Sequence, residues 1–248
     1  MLTVINDADL YVRGMQTLLA SWDVYADGAP GATVLRLPGL AAAVFPNEPE
    51  RAVYNNAVLE RDLGPLERAD AVDAMEAAYE AAGVSHFAAW VHESDVPMRT
   101  ELERRGYSIE ESTLAMGMPL DDIRLPRPVV ELAPSDWSEY LCVFLPPGLL
   151  SGADPSAFHV LTACLDGERV AAGLALDFDG DCGIYNVGTL EHARRRGLGT
   201  ALTALLVYDA LVRGCETASL QSTKMAEHVY AAVGFRNLGR ILEYAPRP

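Results

Sequence analysis

The chain has no apolar run approaching the roughly 20 residues of a membrane-spanning helix. Its first residues, MLTVINDADLYVRG, have no basic segment leading into an apolar core. The expectation is therefore a soluble, cytoplasmic protein with no membrane partner. The four cysteines, Cys142, Cys164, Cys182 and Cys215, form no C-x-x-C pair, and the five histidines, His86, His92, His159, His192 and His228, form no H-E-x-x-H or comparable pattern. No metal is expected, and the cysteines read as small buried apolar residues. Basic charge is also scarce, with 19 Lys/Arg against 35 Asp/Glu and a formal net charge of −16. Binding to nucleic acid needs a basic face, so nucleic acid is not an expected partner. The deficit is uneven: residues 1–125 hold 9 Lys/Arg and 21 Asp/Glu, residues 126–248 hold 10 and 14. An amine acceptor would be drawn toward the first half, although acidity that only keeps the chain in solution would look the same.

What is present is 248 residues, half of them apolar, enough for one large domain or two modest ones. Met1–Asp27 reads as one or two helices, and short strands are predicted at Thr33–Leu37, Ala41–Phe45 and Val53–Leu59, with a turn at Pro46–Glu50. A helix is predicted over Leu66–Ala82, stopped by Gly83. A strand over His86–His92, a helix over Val96–Arg105 ending at Gly106-Tyr107 and a strand over Ser112–Met118 follow. The segment Asp121–Pro128 has the composition of a linker. Beyond it, Pro134-Ser135-Asp136 caps a short helix broken by Pro146-Pro147-Gly148. A hairpin turns at Asp166-Gly167 between Phe158–Leu165 and Val170–Asp177, and a second turn at Asp179–Asp181 leads into Cys182–Leu190. The order helix, strand, helix, Gly-aromatic, strand occurs in both halves. It predicts an α/β chain with mixed sheets and two tandem lobes, 1–122 and 123–248.

One stretch organises the second lobe. A β-like run from Tyr185 to Leu190 leads into Arg194-Arg195-Arg196-Gly197-Leu198-Gly199, which opens a helix near Thr200. Two glycines let the backbone turn tightly and bring N–H groups close to a ligand, and the helix behind adds unpaired N–H groups and the positive end of its dipole. This is a candidate anion site. A dinucleotide fingerprint would need glycine where Leu202 stands, and a P-loop would need Gly-Lys-Ser/Thr where Gly199 meets Thr200.

Val187-Gly188-Thr189 precede the loop. A strand at Thr217–Gln221 and a helix from Met225 to Val233, ending at Gly234-Phe235, follow its helix. The combined pattern V-x-T-x(4)-R-x-x-G-x-G-T-A-L, strand, A-x(3)-Y-x(3)-G-F, with Ala226, Tyr230, Gly234 and Phe235 in the last motif, resembles the GNAT superfamily of acetyl-CoA-dependent N-acetyltransferases. The resemblance covers roughly the last half of the chain. It implies acetyl-CoA as cosubstrate and a small-molecule or peptide amine as acceptor. By the same resemblance, the backbone of Val187 and Thr189 pairs with the pantetheine arm, the loop Arg194, Arg195, Arg196, Gly197, Leu198, Gly199 and Thr200 holds the pyrophosphate, and Tyr230 is the general acid. Thr223 stands where the family often has asparagine. Gly183 stands where some relatives carry a glutamate, so the base is open among Tyr185, His159, Asp177, Asp179, Asp181 and a water. Period-two alternation back from Val187 puts Tyr185 and Gly183 on its face.

The first lobe lacks this chemistry. Its matching entrance is Leu63-Gly64-Pro65-Leu66-Glu67, where Pro65 removes a donor and Glu67 would repel phosphate. Leu102 stands where the second lobe has Tyr230. A degenerate first lobe is expected. The rival reading from another class is a non-catalytic acyl-CoA-binding sensor, which would keep the arginine loop and need no acid. A wider acyl donor and the oligomeric state stay open.

Overall fold

The computed structural model describes residues 5–48, 54–134, 136–145, 148 and 150–247. Among them are six α-helices and eleven strands: α1 Asp7–Asp27, β1 Thr33–Leu37, β2 Leu40–Val44, β3 Asn56–Leu59, α2 Pro65–Ala82, β4 Ala88–His92, α3 Val96–Arg104, β5 Tyr107–Pro119, β6 Leu132–Ala133, α4 Trp137–Phe144, β7 His159–Leu165, β8 Glu168–Phe178, β9 Asp181–Thr189, α5 Leu198–Arg213, β10 Thr217–Ser222, α6 Glu227–Val233 and β11 Arg236–Pro246. The predicted elements are all found. Among the boundary shifts, β5 starts at Tyr107, five residues before the expected Ser112, and α1 starts at Asp7. Predicted features at Met1, Pro49, Glu50, Val53, Ser135, Pro146 and Pro147 lie outside the described residues. Among the described residues no helix is long and apolar enough to cross a membrane.

The chain forms two compact units, one of residues 1–21 and 114–238, the other of 22–113 and 239–248. These do not follow the expected boundary at 122/123, and the reason is strand exchange. In the second unit β4 pairs antiparallel with the far end of β11, Ile241 opposite His92 and Tyr244 opposite Ala89. In the first unit β10 pairs antiparallel with the far end of β5, Thr217 opposite Pro119 and Ser222 opposite Leu114. Each half of the sequence thus gives its last strand to the other half's sheet. Such a pairing is set by contacts distant in sequence, and no local pattern announces it.

In the first unit the strand order is β5-β10-β9-β8-β7-β6. Both tight turns of this sheet, Asp166-Gly167 and Asp179-Gly180, have positive φ at both central residues, as hairpin turns of the expected kind require. One face carries α5 and α6 over a core that includes Leu114, Met116, Ile184, Leu206, Val207, Leu220, Tyr230 and Val233. The other carries the start of α1: a Cβ built on Gly14 would stand 2.8 Å from the Ser219 Cβ, so the helix backbone lies directly on β10. In the second unit the order is β1-β2-β3-β4-β11, and Val72, Met75 and Tyr79 of α2 and Met98 and Leu102 of α3 pack on it. The Tyr79 hydroxyl donates to the Ala43 carbonyl at 3.0 Å. Cys164, Cys182 and Cys215 are buried as expected; Cys142 is exposed, because the short helix α4 turns that position outward.

Candidate active site

The centre of the first unit is a pair of parallel strands that part company. β9 and β10 are paired only at Asp181–Thr217, Cys182–Ala218 and Gly183–Ser219. Beyond Gly183 and Ser219, β9 continues to Thr189 and β10 to Ser222 without a ladder between them. The result is a wedge whose walls carry backbone N–H and C=O groups, the groups an extended ligand can pair with.

A bulge in β9 accompanies the opening. On β8, Ala172 faces Gly188 and Leu174 faces Tyr185, so Asn186 and Val187 stand together against Gly173. Asn186 adopts φ +50, a conformation asparagine tolerates better than most residues. The extra residue corrects the simple alternation. Val187 packs on the α5 side, its methyl 3.4 Å from where a Gly173 Cβ would be, whereas Tyr185 lies over Gly183 beside Thr17 of α1. Tyr185 and Gly183 do share a face, but Val187 is on the other.

The closed end of the wedge is held by a network that the sequence reading missed. Asp181 is 2% exposed, and its two carboxylate oxygens accept from the Thr217 hydroxyl and the Ser219 hydroxyl, each at 2.6 Å. A buried carboxylate needs such partners. The signal for it, D-x(35)-T-x-S, has no periodicity that would single it out. Asp181 is therefore a clamp across β9 and β10.

At the mouth, Arg194 donates from Nε to the Thr189 carbonyl at 3.2 Å and so folds the loop back on the end of β9. Arg195 at φ +62 and Gly197 at φ +78 make the turn into α5. The first helical bond is Ala201 N–H to the Gly197 carbonyl, 2.9 Å, leaving the N–H groups of Leu198, Gly199 and Thr200 ahead of it. A Cβ on Gly197 would meet nothing within 4 Å, so open space lies over the turn. Gly199 is in the first turn of the helix and needs no special backbone angle; the neighbour of its missing side chain is Val229 of α6, at 3.9 Å. Arg194, Arg195 and Arg196 are exposed, and so is Thr223. The Thr223 carbonyl accepts from Ala226 N–H in the turn before α6.

Tyr230 is buried in the α5–α6 core, its ring 6.2 Å from that of Phe235. Burial raises the pKa of its hydroxyl above the ordinary tyrosine range, so at neutral pH the group keeps its proton. His159 and Asp177 are elsewhere. They meet Arg213, which donates to both oxygens of Asp177 at 2.5 and 2.8 Å, with His159 Nε2 3.5 Å from Asp177. Burial first, then the Arg213 charge, lowers the His159 pKa. This cluster borders a cavity of about 340 Å³ with Trp137 and Phe158, at the C-terminal end of α5. A 16-residue helix separates it from the arginine loop by about 22 Å. Asp179 sits in the hairpin turn at φ +45. The wedge thus brings together Tyr185, Gly183, Val187, Thr189, the arginine loop and Tyr230, and excludes His159, Asp177 and Asp179. Among the described residues no group of His, Cys, Asp and Glu could hold a metal ion.

A splayed parallel strand pair, a bulged strand and an open helix entrance are what the structure places around the residues of the sequence motif. Residues 121–235 match the family model "Acetyltransferase (GNAT) family", so this stretch of the chain is similar to that family of acyltransferases. The chain's fold is also that of solved structures. These include a GCN5-related N-acetyltransferase from Kribbella flavida, at a TM-score of 0.74 and 17% identity, covering 100% of this chain and 97% of that one. A GCN5-related N-acetyltransferase from Sphaerobacter thermophilus aligns at 0.62 and 17%, covering 98% and 94%. A tandem GNAT protein from the clavulanic acid biosynthesis pathway aligns at 0.58 and 14%, covering 97% and 95%. No curated protein matches the chain.

Proposed function

We propose that this protein moves the acetyl group of acetyl-CoA to a primary amine by direct attack on the thioester. The observation that carries the reading is the parting of β9 and β10 beyond Gly183–Ser219, with an open helix entrance at the end of β9. The pyrophosphate would lie on the N–H groups of Leu198, Gly199 and Thr200, with Arg194, Arg195 and Arg196 around it. The pantetheine arm would run down the wedge along Val187 and Thr189, and Thr223 would lie on the opposite wall. The six residues from Thr189 back to Gly183 span about 20 Å at roughly 3.3 Å each, so the thioester would sit near the closed end.

There the amine lone pair forms a bond to the carbonyl carbon, and the C–S bond breaks with its electron pair going to sulfur. The proton lost by nitrogen passes to water, and the Tyr230 hydroxyl donates to the departing thiolate. An alkyl amine with a pKa near about 10.4 must first lose its extra proton, which costs roughly 4–5 kcal/mol at neutral pH. The acidic balance of the chain favours a cationic acceptor and disfavours nucleic acid, and buried free thiols suit the cytoplasm.

Calorimetric titration with acetyl-CoA, succinyl-CoA and free CoA, followed by thiol release with a panel of amines, tests the reading. Tight acetyl-CoA binding and amine-dependent release of CoA are expected. No binding of any CoA thioester would end it, and binding without release to any amine would favour the sensor.

A further inference from the structure

The wedge has two faces, and they carry different chemistry. On the α5–α6 face lie Ile184, Val187 and Tyr230, all within or against one apolar core. On the α1 face lie Gly183, Ser219, Thr17 and Tyr185. If Tyr230 serves sulfur from the first face, the nucleophile must arrive from the second.

We infer that Tyr185 is the acceptor-contacting residue, its hydroxyl held at the closed end of the wedge because position 183 has no side chain. The inference rests on the acetyl-transfer reading above and names the acceptor side of that same site. A Cβ on Gly183 would run into the Tyr185 hydroxyl, stand 2.6 Å from its Cζ and lie 2.8 Å from the Thr17 methyl. Any larger residue at 183 therefore displaces the phenol. The bulge at Asn186 is the second part of the device, since it turns Tyr185 to the face opposite Val187.

Tyr185 is half-buried, and its ring follows the last rung of the ladder, where the wedge begins.

A phenol oxygen accepts as well as donates. It takes one N–H of the incoming amine and orients the nitrogen lone pair toward the carbonyl carbon, while the second N–H supplies the proton lost to water. A primary amine has both; a secondary amine has only one. The substrate class is thus an unhindered primary amine, with a preference over its N-methyl counterpart that comes from Tyr185.

The test uses Tyr185→Phe, Gly183→Ala and the double variant, with calorimetry for acetyl-CoA and thiol release for ethanolamine, lysine, spermidine, glucosamine and N-methylethanolamine. Tyr185→Phe should lower kcat/KM for the accepted primary amine about tenfold, the usual worth of one hydrogen bond, with acetyl-CoA affinity unchanged. It should also shrink the preference for ethanolamine over its N-methyl form. Gly183→Ala should reproduce that loss, and the double variant should be no worse than the poorer single one. Wild-type kinetics in Tyr185→Phe, or additive losses in the double variant, would overturn the inference while leaving the transferase standing. Failure of the wild type to bind acetyl-CoA, or to acetylate any amine of the panel, would remove both.

Discussion

The two long helices that follow a parallel-paired strand, α2 and α5, begin in opposite ways. At α2, Pro65 offers no N–H, and the Glu67 carboxylate turns back to accept from the Gly64 N–H at 2.8 Å. This is the acidic half of a capping box, and it places a negative charge where an anion would have to sit. At α5, Gly197 caps with no side chain, three N–H groups stand ahead of the first helical bond, and arginines surround the turn. The strands differ in the same sense. β3 is paired with β4 through Val58–Trp90 and ends one residue later, at Leu59, so no wall continues beyond the ladder. β9 runs six residues past its last parallel rung. One plan thus appears with one entrance sealed by its own side chain and the other left open.

The largest effect should come from the position that differs most between the halves, Tyr230 against Leu102. Leu102 is fully buried core. With Tyr230 as the proposed acid, Tyr230→Phe keeps the ring and removes only an interaction made as the C–S bond breaks, so turnover should fall by about 10²–10⁴-fold with acetyl-CoA affinity nearly constant. Steady-state kinetics beside calorimetry separate the two quantities. A loss of a few-fold would mean that the thiolate leaves unaided, and the contrast with Leu102 would be one of packing alone.

Closing the open entrance comes next. Gly197→Asp puts a carboxylate at α5 as Glu67 does at α2, and aspartate is among the residues that accept a left-handed backbone at φ +78. Affinity for CoA should drop by about 100-fold or more, while circular dichroism stays that of the wild type. Undiminished binding would show that the arginine loop is only a basic helix start.

These contrasts were legible in the sequence because they are local. Pro65, Glu67, Gly197 and the arginines each act within one turn of chain, and residue type is enough to say what each does. The wedge was not legible in the same way. Its opening depends on where the β9–β10 ladder stops, on a bulge seated at Asn186, and on Asp181 reaching residues 36 and 38 positions away. Alternation read across Asn186 assigned Val187 the wrong face, because one residue in a left-handed conformation resets the period. The exchange of β5 and β11 between units escaped for the same reason: pairing partners are chosen by the finished sheet.

An acid in each unit carries the comparison one step further. Asp181 in the first unit has two hydroxyl donors; Glu243 in the second has carboxylates for neighbours. Burial first, and then Glu111 and Glu110, raise the Glu243 pKa to about 7. An unfolded glutamate titrates near about 4.3, so between these values the folded chain holds a proton that the unfolded chain has lost. Stability should therefore fall as pH rises from about 4.5 through 7, by an amount on the order of 3–4 kcal/mol. Glu243→Gln should remove that slope: denaturant melts would show the variant more stable at pH 8 and equal to the wild type near pH 4.5. Parallel profiles would mean that Glu243 ionises freely.

The smallest effect asks whether the sealed entrance can be opened. Glu67→Ala frees the Gly64 N–H and removes the charge, but Pro65 still has no donor to offer and no arginine enters the turn. The lost bond is solvent-exposed, so the cost should be about 0.5 kcal/mol, a fall of roughly 1–2 °C in Tm. Calorimetry should give one CoA per chain in the wild type and still one in the variant, because removing a repulsive group does not supply the N–H groups and positive charge that hold a pyrophosphate. A second site appearing in Glu67→Ala would show that the carboxylate alone separates the two halves. Two sites in the wild type would show that α2 was never sealed.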